Sequence, residues 1–289
     1  MKNFLQILAF ALLPIAVSAQ HLEAGILLGG ANYIGDLSNN SGNLYLKETK
    51  PAVGLFVRQN FTHLFAARLG VNWARVSGQD ANVRNDDFVH DRNLSFRSSI
   101  LEFALIGEFN ILGYQPYGLA RPFSPYVFAG IAGSKFNPKA RYLGNWEELQ
   151  PLGTEGQGMA GFDSPYKRFA FAIPFGVGVK YALTDRINLG IELGARPTFT
   201  DYLDDVSGAY VSYPELLVGN GELAAALGNR TGELTENGEP VVVPTGTQRG
   251  DSAKKDWYFI LGVTASYNFL DNGLMGSRRR GGRRPGCYD

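Results

Sequence analysis

The sequence predicts an all-β protein, an eight-stranded antiparallel transmembrane β-barrel with long extracellular loops and a basic periplasmic C-terminal tail. Three observations carry that prediction. The chain opens with an export signal, and no later apolar run is long enough for a spanning helix. Alternation of apolar and polar residues with period two recurs along the chain. The connections between the alternating runs are long and short by turns, as in bacterial barrels with long outer loops and short periplasmic turns.

The signal comes first. Lys2 gives a positive start, Phe4 to Val17 is apolar apart from Gln6 and Pro14, and Val17-Ser18-Ala19 is a small-residue cleavage site. Residues 1–19 are therefore read as signal peptide, 20–270 as barrel and 271–289 as tail. No cysteine follows the cleavage site, so a lipoprotein signal is not expected. The 36 glycines, 19 phenylalanines and 14 tyrosines suit β-strands with aromatic girdles.

The clearest strand is Ile187 to Arg196. Ile187, Leu189, Ile191, Leu193 and Ala195 share one face, and Asn188, Gly190, Glu192, Gly194 and Arg196 share the other. The remaining seven follow the same rule. Leu22 to Tyr33 sets Ala24, Ile26 and Leu28 on one face. Pro51 to Asn60 sets Val53, Leu55 and Val57 against Gly54, Phe56 and Arg58. Leu64 to Ser77 sets Leu69, Val71 and Trp73 against Arg68, Gly70 and Asn72. Ser99 to Asn110 sets Leu101, Phe103, Leu105 and Phe109 against Glu102, Ala104, Ile106 and Glu108. Ser124 to Lys135 is the weakest, with Val127, Ala129 and Ile131 opposite Tyr126, Phe128 and Gly130. Phe169 to Tyr181 sets Ile173, Phe175, Val177 and Val179 against Gly176, Gly178 and Lys180. Trp257 to Phe269 sets Phe259, Leu261, Val263 and Ala265 against Gly262, Thr264, Ser266 and Asn268. An even strand count places both chain ends on the periplasmic side.

The inward face then carries Arg58, Arg68, Lys180 and Arg196 with Glu102, Glu108 and Glu192. Eight strands enclose an interior that side chains fill. An unpaired buried charge costs several kcal/mol. These seven are expected to pair as a structural polar core, and an open porin, which needs about 16 strands, is disfavoured.

The search for chemistry returns little. His21, His63 and His90 match no metal-ligand spacing, and one cysteine cannot make a zinc site. His90-Asp91 could serve a hydrolase dyad only with a partner that sequence does not reveal. Asp201, Asp204 and Asp205 form an acidic cluster without calcium-loop spacing, and a solvated loop face is the expectation. Gly153 to Gly158 lacks the lysine and the helix of a phosphate loop. No catalytic, cofactor-binding or metal residue is assigned, and no nucleic-acid partner is expected.

The tail is distinctive. Ser277 to Asp289 carries five arginines and one aspartate, a charge of +4, whereas the formal charge of the whole chain is zero. Arg278, Arg279, Arg280, Arg283 and Arg284 surround the single cysteine, Cys287. One reading is a solvated run beneath the last strand. The other is a docking peptide for an acidic periplasmic protein, locked by an intermolecular disulfide through a thiol that neighbouring arginines activate.

Several segments resemble a known family. They are Asn32 to Leu37, Arg92 to Ser98, Phe136 to Ala140, Leu152 to Gly158, Ile173 to Gly176 and Phe199 to Ser207. Together they are similar to the PorG family, the outer-membrane barrels of the type IX secretion system of Bacteroidota. The resemblance implies a non-enzymatic, multi-pass outer-membrane component of that export machine, set in outer-membrane lipid and serving gliding motility in some species. It implies partnership with a periplasmic ring of the PorK lipoprotein and a PorN-like protein. The ring would lie on the side of the tail, so Arg278, Arg279, Arg280, Arg283, Arg284 and Cys287 are the expected contact. The alternatives are a small lipid-modifying enzyme and a passive porin-like barrel.

Overall fold

The computed structural model describes residues 22–38, 46–83, 87–115 and 120–269. The signal region and the tail, with Arg278, Arg279, Arg280, Arg283, Arg284 and Cys287, lie outside the described residues. Ten strand segments form one antiparallel sheet: β1 (Leu22–Ile34), β2 (Lys50–Asn60), β3 (Phe65–Gln79), β4 (Ser95–Asn110), β5 (Phe123–Tyr142), β6 (Asn145–Glu148), β7 (Phe169–Ala172), β8 (Phe175–Ala182), β9 (Ile187–Pro197) and β10 (Trp257–Phe269). Neighbours in sequence pair around the ring, β4 pairs β5, and β10 pairs β1, so the sheet closes.

The ring has eight walls, because β7 and β8 are one strand with an interruption. The sum of paired residue numbers is the same for Ala132↔Ala172 and Ala129↔Phe175, so register is kept across Ile173-Pro174. Pro174 has no N–H to give the ladder, but its carbonyl still accepts from Gly130 N at 2.8 Å. The expectation of one continuous strand over Phe169 to Tyr181 is corrected at this point only. β5 runs 20 residues, past the end of the predicted Ser124 to Lys135, and folds back on β6. Leu143 (φ 46°) and Gly144 (φ 91°) supply the two left-handed residues that a tight hairpin turn requires.

The two tightest periplasmic turns use one device. Thr62 Oγ1 accepts from Phe65 N at 2.9 Å, and Thr184 Oγ1 accepts from Ile187 N at 3.0 Å.

Outward residues form a continuous apolar belt. Leu55, Leu69 and Ile131 are 65%, 63% and 66% exposed, far beyond the apolar patches a soluble monomer tolerates. Aromatic pairs mark its edges, Phe65 with Phe109 on the periplasmic side and Phe175 with Trp257 on the outer side. Among the described residues, no helix is long and apolar enough to cross a membrane.

Inside, the barrel has two storeys. The periplasmic half is polar. The outer half is apolar, with Ala31, Val76, Phe96, Ile100, Phe136 and Ile260 buried on the inward face. That upper storey differs from the polar interior the sequence suggests. It continues upward into Leu37, Leu94, Leu149, Leu203, Val206 and Leu227 of the long loops. The fourth loop, 198–256, is folded and carries helices α2 (Tyr213–Gly219) and α3 (Glu222–Gly228). Helix α1 (Asp87–Arg92) lies in the second loop.

Candidate functional site

Two regions bring together side chains that could matter for function: the polar storey of the lumen and the cap made by the outer loops.

In the lumen, alternation along each strand turns every second residue inward, so charges from six walls meet at the axis. Arg58 on β2 bridges Glu23 on β1 at 2.7 Å and Glu108 on β4 at 3.0 Å. Arg68 on β3 bridges Glu108 at 3.2 Å and Glu192 on β9 at 2.6 Å. Lys180 on β8 meets Glu108 at 2.7 Å. Tyr126 donates to Glu192 at 2.8 Å. Above them, Arg196 meets Glu102 at 3.2 Å, and Glu102 also accepts from Tyr258 at 2.5 Å and from Asn72 at 2.6 Å. Phe56 and Phe128 lie against the guanidinium of Arg68, with ring centres 5.4 and 5.5 Å away.

Every one of the seven inward charges named from the sequence is buried. One partner was missed. Glu23 is fully buried and makes the network of Glu23, Glu108 and Glu192 with Arg58, Arg68 and Lys180 electrically neutral. Its signal was present, since it stands between Leu22 and Ala24 on the opposite face of the first strand. β3 and β9 are opposite walls of the ring, so the contact of Arg68 with Glu192 spans the whole lumen. Side chains that touch across the diameter leave no water-filled channel at that level.

The cap is tied by two buried arginines. Arg92 forks onto Asp80 at 2.8 and 2.7 Å and donates to the carbonyls of Asp36 and Arg249. It thereby joins the first, second and fourth loops. Arg249 donates to Glu155 at 2.9 Å and to the carbonyls of Asp205 and Gly228, joining the third and fourth loops. Glu155 also accepts from the backbone of Ser207 at 3.0 Å. Opposite charge raises the already basic Arg249 further, by Glu155 and then Asp205, against the cost of its burial.

The acidic cluster is not solvated. Asp201, Asp204 and Asp205 are all buried, which corrects the expectation of a loop face in water. Asp205, at φ 71°, accepts from Thr154 and Tyr166 at 2.5 Å each. Burial pushes Asp205 up to about 6 and Asp201 up to about 7. Tyr33 Oη lies 2.7 Å from Asp204 and 2.7 Å from Asp256. A phenol donates one proton, so it cannot satisfy two ionised carboxylates at once. Burial holds both carboxyls far above the usual range, and repulsion from neighbouring acids, Asp256 on Asp204 and Asp201 on Asp256, adds to it. Among the described residues, no three His, Cys, Asp or Glu side chains are grouped to hold a metal.

His90 and Asp91 sit exposed on α1, 3.9 Å apart, longer than a hydrogen bond. His63 is exposed in its turn. Gly153 to Gly158 forms a turn that packs under the fourth loop, where Asn220 donates to the Gly153 carbonyl at 2.9 Å.

Five of the six segments that carry the family resemblance converge here, and Ile173 to Gly176 stays in the barrel wall. Tyr33 and Asp36, Arg92 and Phe96, Phe136, Thr154 and Glu155, and Leu203 to Ser207 are neighbours in the cap and its core.

Comparison with known proteins adds the following. The family described as "Domain of unknown function (DUF6089)" matches residues 2–224. No curated protein sequence matches. Solved structures of similar shape include the N-terminal β-barrel domain of Pseudomonas aeruginosa OprF, at 12% identity over 86% of this chain and 97% of that one, TM-score 0.35. Neisserial surface protein A matches at 9% identity over 87% and 98%, TM-score 0.38. Pseudomonas aeruginosa OprG matches at 12% identity over 87% and 99%, TM-score 0.38. Likeness at this level says nothing about ligands or partners.

Proposed function

This chain belongs to the DUF6089 family, and from the resemblance of its loop segments to type IX barrels we propose that it is a non-enzymatic outer-membrane component of the type IX secretion machinery. Its role is to anchor the machine and dock a periplasmic ring of a PorK-type lipoprotein and a PorN-like partner. One observation carries the reading. Five of the six segments similar to type IX barrels interlock as one folded cap on a filled barrel, and the sixth, Ile173 to Gly176, lies in the wall. A filled lumen suits a scaffold better than a passage, so partners are met at the two ends. On the periplasmic side the basic tail is the docking element, through Arg278, Arg279, Arg280, Arg283, Arg284 and a disulfide from Cys287. Gliding motility, where it occurs, would depend on the same machine.

The test has two arms. Deleting the gene should strand cargo bearing C-terminal signal domains in the periplasm, and normal export would remove the secretion role. Truncation after Asn272 should leave barrel insertion intact and abolish copurification of the ring lipoprotein. Undiminished ring recovery would move the contact away from the tail.

A further inference from the structure

Charge is distributed unevenly just above the apolar belt. On β3 the outward residues run Leu69, Val71, Trp73 and then Arg75. On β4 they run Phe103, Leu101, Ser99 and Arg97, and on β5 Ile131, Gly133, Lys135, Asn137 and Lys139. Register sets Trp73 beside Leu101, Leu101 beside Lys135, and Arg97 beside Lys139. On three adjacent walls, therefore, cations begin at the first or second outward position beyond the belt. On β9 and β10 the outer ends carry Pro197 and Trp257 instead.

One carboxylate faces these cations, Glu148 on β6. It is taken by Lys139 at 3.0 Å and Arg168 at 2.8 Å, and hydrogen bonds from Asn137, then Lys139 and Arg168, hold its pKa down to about 2. Among the described residues, Arg75, Arg97 and Lys135 have no carboxylate within salt-bridge distance. Both guanidiniums are held by tryptophans. Arg97 lies 3.7 Å from the ring centre of Trp146, and Arg75 lies 5.4 Å from that of Trp73. Arg75 Nε is buried without a hydrogen-bond partner. Beside them is a hollow of about 310 Å³ lined by Trp73, Ser99, Leu101, Lys135, Arg168 and the ion-paired Glu148.

We propose that the outer rim of β3, β4 and β5 binds the phosphate-bearing headgroup of an outer-leaflet lipid. Its phosphate sits among Arg75, Arg97 and Lys135, and its acyl chains lie on Leu69, Phe103 and Ile131. The continuity of the two surfaces selects a lipid over a soluble anion. The cations stand one or two outward positions, about 7–13 Å of strand, above side chains that already face hydrocarbon. Planar guanidinium forks match phosphate oxygens, and stacking on tryptophan pre-organises them. The inference rests on the belt facing lipid with the long loops outward, and is independent of any role in secretion.

The test uses the full-length protein in detergent, with neither ring nor cargo present. Native mass spectrometry compares retention of diphosphoryl lipid A with that of its dephosphorylated form. Charge-assisted hydrogen bonds of this kind predict a preference of about ten- to a hundredfold for the phosphorylated form. The triple variant Arg75→Gln/Arg97→Gln/Lys135→Gln should lose that preference. Lys254→Gln/Lys255→Gln, beyond the start of β10, should keep it. Equal retention of both lipids by the unaltered protein overturns the proposal, whether or not any variant folds. So does a triple variant that folds and keeps the preference. Displacement of the lipid by millimolar inorganic phosphate would assign the site to a soluble anion and overturn the lipid assignment.

Discussion

Replacing Arg68 with alanine should destabilise the barrel by about 3 kcal/mol, the low end of the range for stranding a buried partner. Arg68 makes three contacts, at 3.2 Å to Glu108 and at 2.6 and 3.3 Å to Glu192. Summed as independent charge-assisted bonds they would suggest a larger loss, but the partners are not equally stranded. Glu108 keeps Arg58 and Lys180. Glu192 keeps only the Tyr126 hydroxyl at 2.8 Å, and the network acquires one net negative charge in a buried site. The double variant Arg68→Leu/Glu192→Leu removes both charges and leaves a neutral remainder, so it should recover most of the loss. Urea unfolding of the purified barrel in phospholipid vesicles measures both, read by the fluorescence of Trp73, Trp146 and Trp257. If Arg68→Ala unfolds within 1 kcal/mol of the unaltered protein, the lumen network is not the stabilising unit described above. A double variant as unstable as the single one would refute the electrostatic account.

The cap should be tighter in acid than in alkali. Asp205 and Asp201 titrate near 6 and 7 when folded and near 4 when unfolded, so the folded cap holds extra protons between those values. Stability then falls as pH rises through that window, by about 3 kcal/mol for Asp205 alone. Amide exchange over residues 198–256, corrected for its intrinsic pH dependence, should show more protection at pH 5 than at pH 8, and equal protection would contradict this sign. Tyr33→Phe removes the hydroxyl shared by Asp204 and Asp256 and should cost about 1–3 kcal/mol of local stability. The readout is faster exchange at Leu203 and Val206, whose N–H groups donate to those same two carboxylates. Unchanged exchange there would show that the hydroxyl does not organise the loop.

Much of the barrel could be read from the chain because period-two alternation is a local signal. Trp257 to Phe269 has the bounds its pattern gave, and Ile187 to Arg196 is short by one residue. The charges of the polar storey were legible for the same reason, since Arg58, Arg68, Glu102, Glu108, Lys180, Glu192 and Arg196 each stand opposite an apolar run. Their partners were not legible, because pairing across a lumen depends on shear and register. The apolar storey was hidden where the alternation reverses sense: Phe136 points inward between the outward Lys135 and Asn137, so the apolar face of the upper strand is the lumen face. The cap was the least visible part. Asp201, Asp204 and Asp205 resemble a solvated loop in sequence, and their partners come from distant segments, Tyr33 to Asp204, Tyr166 to Asp205 and Arg249 to the Asp205 carbonyl.

The seam between β1 and β10 bears on how the molecule is made. Thirteen residue pairs join Leu22–Ile34 to Trp257–Phe269, so the first wall synthesised finds its second neighbour only when the last one emerges. Until then the nascent sheet has two open edges, each a template for the wrong chain. Pairing between such distant segments makes the closing step slow on loop-entropy grounds. The ring therefore cannot be completed progressively during synthesis. An unfinished chain must be shielded in transit and closed in one late event, and a lesion in β10 would forfeit the whole barrel rather than one wall of it.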